Sequence, residues 1–242
     1  EGTWELWQQG IREQIFVPQF HGREHVNLSI FNKLLEEKHP QLMACLENDS
    51  FGGITYMPFT NNRYFTAAFT FEKFEENENL KTIVRDGLDV FEEVFGLRAS
   101  NFIAPSVEYN SVLNRTLKEG GIKYIDSPPF YKEHQGEGKF TRKFTWLGKQ
   151  NDFSQLSMIR NCIFEPLLNK MSDDVANCLA QIEIAFRMNK PAIISSHRVN
   201  FVGNIDPEVR FIGLRELKRL VKAIVRQWPD AEFMSANELG DL

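Results

Sequence analysis

The feature that most constrains this chain is a rhythm: short apolar runs, closed by Pro, Gly or a polar residue, alternate with longer segments whose apolar residues recur every three or four positions. Residues 14–20 (QIFVPQF), 101–104 (NFIA), 123–125, 191–195 (PAIIS) and 232–235 (EFMS) read as strands. Residues 139–147 and 156–164 read as extended, after a polar loop around His134. Between them lie helical stripes. Val26, Ile30 and Leu34 mark a helix over 25–38, and Leu80, Ile83, Val84, Leu88, Phe91 and Val94 mark one over 80–95 that Gly96 stops. A helix over 111–118 closes at Gly120 and Gly121.

Two later helices carry start signals. Ser172 is the expected cap of one that places Asp173 and Asp174 in its first turn and Val175, Leu179, Ile182 and Phe186 inward. Asp206 and Pro207 open another with the stripe Leu217, Leu220, Val221, Ile224 and Trp228. Strands alternating with helices predict an α/β fold with a mainly parallel sheet, open or closed into a barrel, whose ligands gather at the C-terminal strand ends.

With 242 residues and 42% hydrophobic content, one domain of this class is expected. A net charge of -5 leaves no basic face for phosphate tracking, so nucleic acid is excluded as a partner. No apolar stretch approaches the roughly 20 residues of a membrane span, and the first residues carry no basic run followed by an apolar one, so the chain is expected to be soluble, with the cytoplasm favoured over export. Cys45, Cys162 and Cys178 are too widely spaced for a CxxC pair, and Cys178 falls on an apolar helix stripe.

Three strand ends hold chemistry. His21 and His25 stand four apart where a strand turns into a helix, so both imidazoles can face one divalent transition metal such as Zn. The bland alternative is one helix-capping His and one satisfied polar His. His197 follows an apolar strand and precedes Arg198 and Asn200, the place for an acid or base on a rigid mount. Pro105 and Ser106 end a strand whose backbone N–H groups can face a developing oxyanion, though the same residues also serve simply to stop it. His39 and His134 are expected at the surface or in turns. The aromatic stretch 56–74, with Arg63, Tyr64, Phe65 and Phe69, is expected mainly to pack.

The segments FVPQFHGREHVNL, NFIAPSVEYN, PAIISSHRVNFVG and WPDAEFMSANEL, in that order, resemble the polysaccharide deacetylases of the NodB-like superfamily, and a divergent bacterial polysaccharide (de)acetylase group within it. The resemblance runs from about Trp4 to Leu239. It implies a distorted (β/α) barrel and a metal-dependent hydrolase that removes acetyl groups from a polysaccharide or sugar intermediate. In it His21 and His25 match the two metal histidines and His197 the leaving-group acid. Pro105 and Ser106 match the oxyanion loop, and Arg198 and Asn200 are expected to meet an acetylated glycan.

The chain departs from that pattern in two places. No Asp precedes His21 to supply the third ligand and the base, so the first strand is expected to lie upstream of Glu1; and Ile103 stands where an Arg is expected. Two rivals remain. A scaffold of the same fold that binds carbohydrate without catalysis keeps the barrel and loses the metal. An HxxEH zinc peptidase would use Glu24 as base and Glu92 or Glu93 as a further ligand, and needs 21–25 to be helical.

Overall fold

The computed structural model describes residues 2–50, 54, 63–167 and 173–242. Its contacts divide the chain into two compact units, one of residues 1–158 with 235–242 and the other of 159–234.

The first unit opens with helix α1 (Thr3–Arg12), whose Trp4 and Trp7 rings lie against Phe95. The expected strand over 14–20 contracts to one residue. Pro18 has no N–H to give a ladder, and only Phe20 bridges, in parallel, to Phe102. Helix α2 (Leu28–Glu36) starts three residues later than its apolar stripe suggests, because the buried Asn27 caps it by accepting from the Ile30 N–H at 3.0 Å. Helix α3 (Pro40–Glu47) follows, with His39 as its N-cap residue and Pro40 at its first position. Helix α4 (Asn77–Phe95) runs as expected, and Gly96 ends it with a left-handed φ of 68°.

Strand β1 (Asn101–Ile103) leads through Pro105 to the short helix α5 (Asn114–Glu119) and strand β2 (Tyr124–Asp126). A hairpin of β3 (Phe130–Gly136) and β4 (Lys139–Phe144) then precedes β5 (Leu156–Met158). Strands β1, β2 and β5 form a parallel sheet in that order, and the Phe20 bridge extends it beyond β1. Phe20, Phe69, Phe71, Val84, Leu88, Phe102 and Leu117 fill the core between α4, α5 and this sheet. Phe65 packs separately, with Ile30 and Leu34. The packing expected of Phe65 and Phe69 thus holds, whereas residues 56–62 of that aromatic stretch lie outside the described residues.

His134 is not the turn or surface residue its polar surroundings suggest. It is fully buried in β3, where its Nε2–H donates to the Phe71 carbonyl at 2.7 Å and burial holds its pKa below the usual imidazole value. The unfolded chain therefore takes up a proton near pH 6.5 that the folded chain refuses, so stability present above about pH 6.5 is lost as pH falls below it. Below that pH, His134→Gln is expected to flatten the slope of stability against pH by up to about 1.4 kcal/mol per unit, measured by urea unfolding from pH 7 to 5.

The second unit pairs β6 (Cys162–Ile163) in parallel with β7 (Ile194–Ser195) and packs both against α6 (Asp174–Arg187) and α7 (Pro207–Gln227). Asp173 caps α6 by accepting from Ala176 N–H; the expected cap, Ser172, lies outside the described residues. The core here is Phe164, Val175, Cys178, Ile182, Leu220 and Ile224. Burial in it pushes the Cys162 and Cys178 thiols up to about 11 and about 12.

The final expected strand, 232–235, does not form. Ser235 instead caps helix α8 (Ala236–Asp241) in a capping box with Glu238. This helix belongs to the first unit. Asn237 accepts from Gln19 and Ser100, and Asp241 accepts from the Tyr124 hydroxyl at 2.7 Å. An added Cβ on Gly240 would sit 2.3 Å from the Tyr124 ring.

The fold is therefore α/β, with α5 joining the parallel strands β1 and β2, α6 joining β6 and β7, and the β3–β4 hairpin between β2 and β5. Among the described residues the sheets have three, two and two strands, and none closes into a barrel. No helix there is long and apolar enough to cross a membrane.

Candidate functional site

The first candidate centre grows from the Phe20–Phe102 bridge. Phe20 and β1 exchange N–H···O=C bonds, Phe20 N–H to Asn101 O and Ile103 N–H to Phe20 O, both at 3.2 Å. Side chains at the next position are thereby delivered to the C-terminal edge of the sheet. His21 stands there, and its Nδ1 lies 2.8 Å from the Ile103 carbonyl oxygen. A carbonyl can only accept, so the proton sits on Nδ1, and Nε2 carries the ring's lone pair.

Gly22 turns the chain with φ 99°, a conformation that costs glycine little. His25 then returns its ring to 5.2 Å from that of His21, at 71°. Asn27, two residues on, pins this return through its cap and through amide bonds to the Ala67 and Thr70 carbonyls.

The pair can be tested against ligand chemistry. With metal–nitrogen bonds of about 2.1 Å and a ring centroid about 1.1 Å behind the ligating atom, two imidazoles on one tetrahedral ion have centroids about 5.2 Å apart. The observed centroid separation is of that size. Among the described residues no third His, Cys, Asp or Glu joins them in a group that could hold an ion.

Residues 21–25 are not helical, since α2 begins only at Leu28. Glu24 is committed to Arg23, which also reaches Asp86, at 2.5 Å in each case. The HxxEH peptidase arrangement, which needs Glu24 between two ligands on one helix, is therefore not formed.

The next strand end carries Pro105 and Ser106. Pro105 is buried, while Ser106 is exposed and donates to the Thr66 carbonyl. Ser106 and Val107 take consecutive left-handed conformations, with φ 57° and 59°. Each costs a non-glycine residue about 1–3 kcal/mol, and such strain concentrates where a backbone is held for a ligand.

Glu108 follows. Burial raises its carboxyl pKa, with Lys132 pulling the other way, and its Oε2 is buried without a hydrogen-bond partner. No pattern in the sequence distinguishes this Glu from its solvated neighbours. Ser106 and Glu108 form one wall of a groove of about 570 Å³ whose other wall is the β3–β4 hairpin.

The second candidate centre belongs to the other unit. His197 lies just beyond β7, and its Nδ1 stands 2.6 Å from Glu165 Oε1, which also accepts the His197 backbone N–H at 3.0 Å. Asn200 is fully buried. Its amide donates to Glu165 Oε2 at 2.6 Å and to the His197 carbonyl at 2.9 Å, and its Oδ1 accepts from the Leu167 N–H. Its polar atoms thus serve Glu165 and the turn instead of facing solvent, while Arg198 is exposed.

Helix α7 presses on this turn at Gly213, where a Cβ would come 1.7 Å from the Asn200 carbonyl oxygen. No motif in the sequence singles out Glu165; the strand register does. Cys162 pairs with Ile194 and Ile163 with Ser195, so the same register puts position 165 opposite 197.

The structure thus brings His21, His25 and the Pro105–Ser106 turn to neighbouring strand ends of one unit. It brings His197 and Asn200 together with Glu165 in the other.

No protein-family model matches the chain, and no curated protein matches it. Among solved structures, a Mycobacterium smegmatis protein provisionally described as a polysaccharide deacetylase is similar to it. The match has a TM-score of 0.44 and 16% identity, over 68% of this chain and 56% of that one. The chain therefore spans a little over half the length of that structure.

Proposed function

We propose that this protein is a metal-dependent hydrolase that removes acetyl groups from a polysaccharide or sugar intermediate, working in a barrel-like α/β scaffold. The observation that carries the reading is the His21–His25 pair at a strand end, its ring separation suited to one ion and its His21 tautomer held by the Ile103 carbonyl. A second-sphere acceptor on one ring nitrogen is the usual device for presenting the other to a metal. His21 and His25 would hold a divalent transition metal, Zn by ligand type, which supplies Lewis-acid polarisation of an acetyl carbonyl and a water of lowered pKa.

The remaining work falls to the chain's own groups. At the strained Ser106–Val107 turn the Val107 N–H is taken by the Ala104 carbonyl at 2.9 Å, so the Ser106 N–H is the backbone donor left to meet the developing oxyanion. In the second unit, His197 would serve as the acid for a departing amine or alcohol, with Glu165 fixing its ring through Nδ1 so that Nε2 is the transferring atom. Asn200 holds Glu165, and Arg198 is the exposed cation available to the glycan.

The test is elemental analysis of the purified chain and of the His21→Ala/His25→Ala variant, followed by acetate release from acetylated glycans. About one equivalent of transition metal is expected in the wild type and none in the variant, with acetate release lost alongside it. A wild type that takes up no Zn, Co or Ni on reconstitution, or a variant that still releases acetate at the wild-type rate, overturns the proposal. A carbohydrate-binding scaffold without catalysis, favoured only by the two-ligand count among the described residues, would bind glycan and show neither metal nor acetate.

A further inference from the structure

The outer face of the β3–β4 hairpin combines an exposed aromatic row with like charges set opposite each other. Phe130 and Phe144 stand directly opposite, ring centroids 4.9 Å apart, and Trp146 continues the row 5.9 Å from Phe144. All three are more than half exposed. On the same face the next cross-strand pair is Lys132 opposite Arg142, two cations where a sheet favours opposite charges. A third cation, Lys149, lies 4.6 Å over the Trp146 ring.

None of this is needed to hold the hairpin, because the inner face does that. Glu133 there is buried, accepts from the Ser111 N–H and pairs with Lys143 at 2.9 Å. An exposed row of aromatic rings beside unmatched like charges marks a binding surface.

We propose that this face docks an acidic polysaccharide, a chain of pyranoses bearing carboxylates, and feeds it along the groove toward the Ser106–Glu108 turn. The proposal rests on the glycan-directed reading above and names the class of glycan. Flat ring faces 4.9 and 5.9 Å apart offer stacking surfaces for the C–H faces of successive sugars. The Arg142 guanidinium, which forms no ion pair among the described residues, offers a planar fork for a carboxylate. In the groove Lys143 is matched by Glu133, so Lys132 and Arg142 outnumber Glu108 in a chain of net charge -5. Single-stranded nucleic acid uses similar tools, but its one phosphate per base would meet a protein of net negative charge with two spare cations.

The test is calorimetric titration of the whole chain with oligogalacturonate, an alginate oligomer, a neutral cello-oligosaccharide of equal length, and oligo(dT). Lys132→Ala/Arg142→Ala and Phe144→Ala/Trp146→Ala are titrated beside the wild type. These side chains are exposed, and an unchanged Tm checks that each variant is folded. An acidic oligomer is expected to bind the wild type about tenfold more tightly than the neutral one. The charge variant is expected to lose that discrimination, and the aromatic variant to bind every sugar about tenfold more weakly.

No binding of either uronate at millimolar concentration overturns the proposal, as does equal binding by both variants. Tighter oligo(dT) binding that both variants lose reassigns the face to nucleic acid. The His21→Ala/His25→Ala variant keeps acidic-glycan binding if the platform is real, whatever its metal and acetate assays show. Failure of docking and failure of the deacetylase reading are thereby separated.

Discussion

Asn27→Ala is expected to lower the stability of the first unit by about 2–4 kcal/mol. The side chain is wholly buried and does three jobs. Its Oδ1 caps α2, and its amide satisfies the carbonyls of Ala67 and Thr70. Alanine forfeits a cap worth about 1 kcal/mol and leaves the Thr70 carbonyl short of a donor at about 1–3 kcal/mol, whereas the Ala67 carbonyl keeps the Thr70 N–H and hydroxyl. For a unit of this size that corresponds to a fall in Tm of about 4–16 °C. Asn27→Asp keeps the capping oxygen but buries a carboxylate oxygen against the Ala67 and Thr70 carbonyls, so it should cost at least as much as alanine. A loss below about 1 kcal/mol in either thermal or urea unfolding would show that the 67–70 carbonyls find other donors. Because His25 lies two residues before the cap, metal retention in Asn27→Ala should fail at a lower temperature than in the wild type.

The second large effect is on turnover. His197→Ala is expected to reduce deacetylation by about 10²–10⁴-fold, the range for loss of a positioned general acid. Glu165→Gln should cost about 10–100-fold, as for supporting residues that orient a functional imidazole. The carboxylate takes both the ring Nδ1–H and the backbone N–H of His197, while its second oxygen receives Asn200. The glutamine amide would face the Asn200 amide, donor against donor. Glu165 is a positioning residue, so its loss should fall on kcat with KM within about twofold, a split that general unfolding would not produce. His197→Ala turnover within threefold of wild type removes it from the mechanism.

Helices α4 and α7 were legible because their stripes are long and their ends carry Gly96 and Asp206–Pro207. The parallel pairing of β1 with β2 follows from α5 between two short apolar runs, whereas the β3–β4 hairpin between β2 and β5 gives no such signal. Other stretches misled for physical reasons. Residues 14–19 have strand composition, but Pro18 leaves them nothing to pair with except through Phe20. The β3 segment reads as loop because it buries Glu133 and His134, whose partners Ser111, Lys143 and Phe71 are remote in sequence. Residues 232–235 pair an apolar couple with a serine whose real role is to start α8. The His21–His25 pair was visible from spacing alone, whereas Glu165 required the β6–β7 register.

The closing contacts of α8 have a consequence for the order of events during synthesis. Residues 159–234 are contiguous in the chain and can pack as soon as they emerge from the ribosome. The first unit has nearly all its residues earlier, yet Gln19, Ser100 and Tyr124 wait for Asn237 and Asp241, more than a hundred residues downstream. Its edge near Phe20 and β1 therefore stays open through the translation of the second unit, and residues 235–242 are those that seal the sheet bearing His21. Nascent chains stalled before residue 235 would expose that edge to chaperones, and a bulky group fused close behind Asp241 would act on the sheet edge made well over a hundred residues earlier.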